Sequence, residues 1–119
     1  MSRSVLVVDD DASFRDLAAR VLTGWGHVVV GGAGSVEEAL ARAVELRPDT
    51  ALVDIGLPDG DGFSLTRQLR AMPWPLRVIL ISTDSDRANA LAARRAGASG
   101  FFPKDELSEG ALWQLFEED

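Results

Sequence analysis

Three aspartates, one serine and one lysine are the residues of this sequence most suited to chemistry, and each follows an apolar run. Asp9 and Asp10 follow VLVV, Asp54 follows ALV, Ser82 ends VILIS, and Lys104 follows GFFP. Carboxylate oxygens are ligands that Mg²⁺ prefers in proteins. A carboxylate can also attack phosphorus and form an aspartyl phosphate, a transfer that depends on positioning and on neutralising charge. The residue types therefore suit metal-assisted phosphoryl transfer to an aspartate.

Several of these residues also have an ordinary structural interpretation. Asp11 precedes the helical pattern ASFRDL and is best interpreted as a helix N-cap. Taken alone, Ser82 is typical of a strand-end hydroxyl that bonds to the backbone, and Lys104 is typical of a solvated lysine. Asp9 and Asp10 are harder to explain in this way, because a carboxylate at the end of a buried strand is costly to desolvate unless it is paired or binds a metal.

Apolar and amphipathic runs alternate along the chain and predict five strands and five helices. The predicted strands cover residues 4–8, 27–32, 50–55, 76–82 and 98–102. The predicted helices cover residues 12–24, 35–49 (stopping before Pro48), 63–72, 86–97 and 107–118. Ser35 and Glu38 have capping-box spacing, and Gly97 is the expected C-cap of the fourth helix. Residues 57–62, LPDGDG, are predicted as loop.

This alternation predicts an α/β fold with a doubly wound parallel sheet. The strands are continuously apolar, as expected when helices cover both faces of a sheet, and five βα units are too few for an eight-stranded barrel. Ligands of open parallel sheets bind beyond the carboxyl ends of the strands. The three carboxylates, the hydroxyl and the ammonium are therefore expected to meet at one edge of the sheet.

Composition narrows the function classes. The 119 residues fit a single domain, with 46% hydrophobic and 26% charged residues. A net charge of −7 argues against binding to nucleic acid by this domain. No run is long enough to cross a membrane or resembles a signal peptide. The absence of cysteine rules out a disulfide framework, so a reducing, cytoplasmic location is expected. With no cysteine and a single histidine, His27, to which no role is assigned, a zinc site is not expected.

Four motifs resemble the receiver domain of bacterial two-component response regulators. They are VLVVDDD, LVDIGLPDGDG, VILIS and GASGFFPKDEL, and the resemblance covers essentially all of residues 1–119 as one domain. The resemblance implies a flavodoxin-like (βα)5 fold with strand order 2-1-3-4-5. It also implies an Mg²⁺ site formed by Asp9, Asp10, Asp54 and the backbone carbonyl of Gly56.

The resemblance further implies a phosphorylation switch and not an independent enzyme. Asp54 is then the phosphoacceptor, Lys104 pairs with the phosphoryl group, and Ser82 bonds to it. Phe101 matches the aromatic switch position on the face formed by the fourth helix, the fifth strand and the fifth helix. The implied partners are a sensor histidine kinase or a phosphotransfer protein and an output domain or partner protein. A homodimer through the fourth and fifth helices stays open.

The sequence departs from the usual family pattern in a few places. Thr83 stands where Ala or Gly is usual, which we expect to narrow access to Asp54. Lys104 is followed by Asp105 where many members have proline, so the peptide geometry there is in question. Gly56 and Asp84 match positions that tune dephosphorylation in the family.

Two other functions stay open at this point. A pseudo-receiver would act as an interaction module without phosphorylation, and Thr83 is the feature that favours it. A phosphatase of the haloacid dehalogenase type would use Asp9 and Asp11 as its Asp-x-Asp pair. That class also needs a second acidic pair late in the chain, for which Asp105 and Glu106 are poor substitutes.

Overall fold

The computed structural model describes residues 2–83, 87–107 and 110–117. The strands of the main sheet are β1 (Ser4–Val8), β2 (Val28–Ala33), β3 (Thr50–Asp54), β4 (Arg77–Ser82) and β5 (Gly100–Pro103). The α-helices are α1 (Ala12–Gly24), α2 (Val36–Leu46), α3 (Gly62–Arg70), α4 (Arg87–Ala96) and α5 (Gly110–Glu117). A short hairpin (Gly56–Leu57 with Gly60–Asp61) follows β3, and a 3-10 turn (Lys104–Glu106) follows β5.

The sheet is parallel throughout and has the order β2-β1-β3-β4-β5. This is the 2-1-3-4-5 order of flavodoxin-like folds, so the predicted fold is confirmed. The order places β1 and β3 side by side in the centre, with Val8 opposite Val53. The residues that follow these two positions therefore emerge next to each other at the carboxyl edge.

Two apolar layers cover the two faces of the sheet. Leu6 and Val8 of β1 pack in the layer that includes helices α2, α3 and α4, whereas Val5 and Val7 pack in the layer that includes α1 and α5. All four are at most 1% exposed. Because neighbouring residues of a strand point to opposite faces, a strand covered on both sides must be apolar at every position, which explains the unbroken apolar runs.

Most of the predicted helix ends are confirmed. Asp11 caps α1, because its carboxylate accepts hydrogen bonds from the backbone N–H groups of Ser13 (2.9 Å) and Phe14 (3.4 Å). Ser35 caps α2 by accepting from the N–H of Glu38 at 3.1 Å. The reciprocal half of the capping box is shifted by one residue, since the Glu38 carboxylate accepts from Gly34 and not from Ser35. Gly97 has φ 98° and ends α4 as predicted.

The largest differences from prediction lie near the end of the chain. The fifth strand begins at Gly100 and not at residue 98, because the N–H of Ala98 still bonds to the carbonyl of Ala93 in the last turn of α4. Leu107, where the last helix was predicted to begin, instead follows the 3-10 turn and is 4% exposed in the core, and the helix is described from Gly110 onward. The predicted loop 57–62 also contains a short hairpin and the start of α3.

Two further observations concern solvent and membrane contact. His27, the first residue of the predicted second strand, precedes β2 in the structure and is 3% exposed, so it is part of the interior. Within the described ranges, no helix combines the length and the apolar character that crossing a bilayer requires.

The connection after β3 turns back onto the strand it leaves. The N–H of Gly62 donates to the carbonyl of Ile55 at 2.8 Å, and the Thr66 hydroxyl donates to the Gly62 carbonyl at 2.6 Å. A Cβ atom on Gly62 would lie 2.7 Å from the carbonyl oxygen of Asp54 and 2.7 Å from the Cα of Ile55. Only glycine therefore allows this close return of the chain.

We predict that Gly62→Ala lowers the free energy of unfolding by about 1–3 kcal/mol, because the backbone of Asp54 and Ile55 must move to make room. Gly56→Ala is the matched control, since a Cβ on Gly56 would meet no atom within 4 Å. Urea denaturation of both variants and the wild type tests this. Equal losses in the two variants would contradict the close approach at Gly62.

His27 is held between the start of β1 and the end of α5. Its Nδ1 accepts from the N–H of Arg3 at 3.0 Å, and its Nε2 lies 3.4 Å from a carboxylate oxygen of Glu117. Its ring centroid is 5.2 Å from that of Phe116. Burial lowers the pKa of His27 below 6.5, with Glu117 opposing and Arg3 adding to the effect.

We predict that this histidine makes the fold less stable in mildly acidic solution. Because the pKa of His27 is lower in the folded state, the unfolded chain binds more protons once the pH falls below about 7, and stability falls with it. Unfolding free energies measured between about pH 7 and pH 5 should show this slope in the wild type. In His27→Asn, which keeps an acceptor for Arg3 but does not titrate, the slope should be smaller; an unchanged slope would refute the assignment.

Candidate functional site

The site lies at the carboxyl edge of the sheet and takes its side chains from the ends of three strands. Asp9 directly follows β1, Asp54 is the last residue of β3, and Lys104 directly follows β5. The N–H of Asp9 donates to the carbonyl of Ala33 at 2.9 Å, which continues the pairing of β1 with β2 by one residue. The backbone of the first acidic residue is therefore fixed by the sheet itself.

The three predicted carboxylates converge. One carboxylate oxygen from each of Asp9, Asp10 and Asp54 lies within 4.8 Å of the others. Asp9 is fully buried and Asp54 is 8% exposed, whereas Asp10 is exposed. A cluster of oxygen donors with one side open to solvent suits Mg²⁺, which binds one or two carboxylates and keeps several waters. The residues present therefore fit the implied metal.

Lys104 is partly buried beside these acids and is not a solvated lysine. Its Nζ lies 2.6 Å from Oδ2 of Asp9 and 3.4 Å from Oδ2 of Asp54, and its side chain is 17% exposed. One ammonium group therefore contacts both of the buried carboxylates. The interpretation of Lys104 as a solvated side chain is wrong, because this fold brings it back to the end of β1.

The charges of the site are coupled. Burial raises the pKa of Asp54, the negative charge of Asp9 adds to this, and Lys104 opposes it. Burial lowers the pKa of Lys104, but contact with Asp9 and the charges of Asp54 and Asp9 outweigh this, so the pKa is raised overall. Lys104 is thus held as a cation, and its ammonium contacts two of the three carboxylates, which leaves the cluster with more negative than positive charge. This excess of negative charge favours a bound cation.

Ser82 and Gly56 lie around this cluster. Ser82 is 3% exposed at the end of β4, where it stands in register with Pro103 of β5. Gly56 is exposed in the short hairpin, with open space on its side-chain side. Thr83, directly after Ser82, is exposed. The structure therefore places Ser82 at the same edge as the acids and leaves the hairpin side open.

Phe101 lies farther along β5 and is partly buried against the α4 side of the core. It lines a cavity of about 190 Å³ together with Ala93 and Ser99.

Two points raised by the family resemblance concern Asp84 and the peptide bond after Lys104. Asp84 lies outside the described residues. The peptide bonds of the described residues are all trans, including the one after Lys104.

The sequence did not identify two residues that touch the cluster. The Phe14 ring centroid is 4.7 Å from Nζ of Lys104, so a core residue of α1 also covers the ammonium. The guanidinium of Arg15 donates to the backbone carbonyl of Asp9. Both residues belong to the first turns of the helix that follows the acids. Their position one turn after Asp9 and Asp10 was the only signal available in the sequence.

Comparison with known proteins agrees with this geometry. The receiver domain of the response regulator NarL from Mycobacterium tuberculosis superimposes with a TM-score of 0.85 at 33% identity, over 98% of each chain. A response regulator protein from Burkholderia pseudomallei, solved with a phosphorylated aspartic acid, a calcium ion and citrate, gives a TM-score of 0.84 at 28% identity, over 95% of this chain and 66% of that one.

Among curated proteins, protein-glutamate methylesterase/protein-glutamine glutaminase 6 from Anaeromyxobacter dehalogenans is 41% identical over 115 residues. The alignment covers 96% of this chain but only 32% of that protein, so the likeness concerns about a third of the relative. The family model described as the response regulator receiver domain matches residues 5–116. The chain therefore belongs to the response regulator receiver domain family.

Proposed function

We propose that this domain accepts a phosphoryl group on Asp54 from a sensor histidine kinase or a phosphotransfer protein and passes the signal on by a change of shape. The observation that carries the proposal is the contact of one ammonium, Lys104 Nζ, with both Asp9 and Asp54. A solved relative that contains a phosphorylated aspartic acid supports it. We take Asp54 as the acceptor because the family resemblance assigns it that role, and its carboxylate lies 3.4 Å from Lys104 Nζ at the end of β3, next to the exposed hairpin.

In the proposed reaction, an oxygen of Asp54 attacks the phosphorus of a phosphohistidine. The new O–P bond forms as the N–P bond breaks, and the imidazole of the donor leaves and takes up a proton. Mg²⁺ held by Asp9, Asp10, Asp54 and the Gly56 carbonyl would neutralise charge on the phosphoryl oxygens. Lys104, whose ammonium lies beside Asp9 and Asp54, would pair with one of these oxygens.

The same residues provide a route from the phosphoryl group to a surface. The Ser82 hydroxyl bonds to the phosphoryl group, and the adjustment of β4 is passed to β5, which pairs with it from Ile79 to Ser82. Phe101 stands opposite Leu80 in this pairing and borders the cavity beneath α4. We infer that phosphorylation biases a two-state equilibrium of the α4–β5–α5 face by favouring one position of Phe101.

The haloacid dehalogenase alternative gains no support from the site. Asp11 would have to act as the second acid of an Asp-x-Asp pair, but its carboxylate is bonded to the start of α1 as an N-cap. Asp105 and Glu106 are exposed on the 3-10 turn and do not join Asp9 and Asp11 in one site.

We also propose that the domain is cytoplasmic and that it acts through an output domain or a partner protein.

We predict that incubation with acetyl phosphate and Mg²⁺ adds one phosphoryl group to the wild type and none to Asp54→Asn, because the amide removes the nucleophile. Intact mass spectrometry measures the adduct, and hydroxylamine should remove it, as expected of an acyl phosphate. Asp105→Asn is the matched control, since it neutralises an exposed acid beside Lys104. Phosphorylation of Asp54→Asn to the wild-type extent would overturn the proposal.

We also predict that Thr83→Ala speeds phosphorylation by small donors. Thr83 is exposed and directly follows the buried Ser82, so a smaller side chain should widen the approach to Asp54. The measurement is the initial rate with acetyl phosphate. Thr23→Ala, an exposed change on α1, is the control, and a Thr83→Ala rate equal to that of the wild type would show that this residue does not limit access.

A further inference from the structure

The loop that carries Gly56 is held at three points by alternating side chains. Leu57 is 9% exposed and belongs to the core beneath α2 and α3. Asp61 caps α3 by accepting from the N–H of Ser64 at 2.8 Å. Asp59 lies between them, and its carboxylate reaches a different element, the first turn of α2.

Asp59 binds α2 with both carboxylate oxygens. Oδ1 accepts from the N–H of Val36 at 2.7 Å, and Oδ2 accepts from the N–H of Glu37 at 3.0 Å. These bonds lower the pKa of Asp59 and keep it ionised, and a negative charge is favourable at a helix N-terminus. The two N–H groups have no partner within the helix, so Asp59 satisfies donors that α2 itself cannot.

Gly60 lets the hairpin approach this helix end closely. A Cβ atom on Gly60 would lie 3.1 Å from Cγ2 of Val36, which is tighter than an ordinary contact. The hairpin therefore contacts the start of α2 in two ways. The Asp59 carboxylate accepts hydrogen bonds from the helix, and Gly60, which has no side chain, allows the backbone of the hairpin to pack closely against Val36.

The start of α2 also lies next to the acidic loop after β1. A Cβ on Gly34, two residues before Val36, would lie 3.8 Å from the Cα of Asp10 and 3.4 Å from the guanidinium of Arg15. Arg15 in turn donates to the carbonyl of Asp9. One helix end thus supports two loops, one with the acids Asp9 and Asp10 and the other with Gly56.

We propose that Asp59 is a positioning residue for the metal site. By fastening the hairpin to α2, it fixes the loop that carries Gly56 relative to the acidic loop, and so sets the affinity of the site for Mg²⁺. This inference rests on the proposed function, because it assumes that the carboxylate cluster and the Gly56 carbonyl hold Mg²⁺. Asp59 itself needs no contact with the ion.

Ser35→Ala is a matched control that separates a role of Asp59 in positioning the hairpin from a role in stabilising α2 alone. Ser35 caps the same helix end through the N–H of Glu38, at 3.1 Å, and this hydrogen bond does not involve the hairpin. Ser35→Ala and Asp59→Ala should both weaken α2. Only Asp59→Ala should release the hairpin.

The experiment measures Mg²⁺ binding by titration calorimetry and amide hydrogen exchange by NMR in the wild type, Asp59→Ala, Asp59→Asn and Ser35→Ala. We expect Asp59→Ala to bind Mg²⁺ about fivefold more weakly, less than the roughly 10- to 100-fold loss typical of groups that touch a ligand directly. The Gly62 amide, which closes the loop onto Ile55, should exchange faster. Asp59→Asn keeps one acceptor oxygen and should fall between the wild type and Asp59→Ala.

Ser35→Ala should lower the melting temperature while leaving the Mg²⁺ affinity and the Gly62 exchange rate at their wild-type values. Equal effects of Ser35→Ala and Asp59→Ala on affinity, or no change of affinity in Asp59→Ala, would overturn the proposal. If the wild type bound no Mg²⁺, the proposed metal site would be refuted, and this inference would be refuted with it. The exchange rates would then still show whether Asp59 fastens the hairpin.

Discussion

The structure of this site depends on one interaction, the contact of the Lys104 ammonium with the carboxylates of Asp9 and Asp54. Two acids taken out of water at the end of a sheet would repel each other and lose their hydration. A single lysine offsets part of this cost, and Phe14 covers the same ammonium from the side of α1. In the proposed function, the charge that stays uncompensated would attract a metal ion and, with it, a phosphoryl group to this edge.

The parallel sheet is what brings these charges together. Because β1 and β3 are neighbours in its centre, Asp9 and Asp54 meet although they are far apart in the chain, and β5 ends so that Lys104 reaches across. The turn after β3 must leave room for this meeting, and Gly62 provides it by allowing the chain to pass close to the Asp54 carbonyl. The strand order and the close turn at Gly62 together therefore determine where the charged side chains of the site lie.

The sequence predicted the parts of the molecule that follow from local rules. Unbroken apolar strands revealed a sheet covered on both faces, and Asp11 and Gly97 marked helix ends through their own chemistry. The strand ends predicted the edge at which Asp9, Asp10, Asp54 and Lys104 gather, and the structure brings these four together. Contacts between distant residues that do not lie at strand ends could not be predicted from the sequence. Nothing near Asp59 in the chain indicates that it caps α2, and nothing near His27 indicates its burial against Phe116.

The proposed function requires that Asp54, and no other acid of the cluster, carries the phosphoryl group. Reduction of the phosphorylated protein with borohydride converts a phosphorylated aspartate to homoserine, which peptide mass spectrometry then locates. We expect homoserine at position 54 alone, and only after incubation with both Mg²⁺ and a phosphodonor. Homoserine at position 9 or 10, or labelling that does not depend on Mg²⁺, would contradict it.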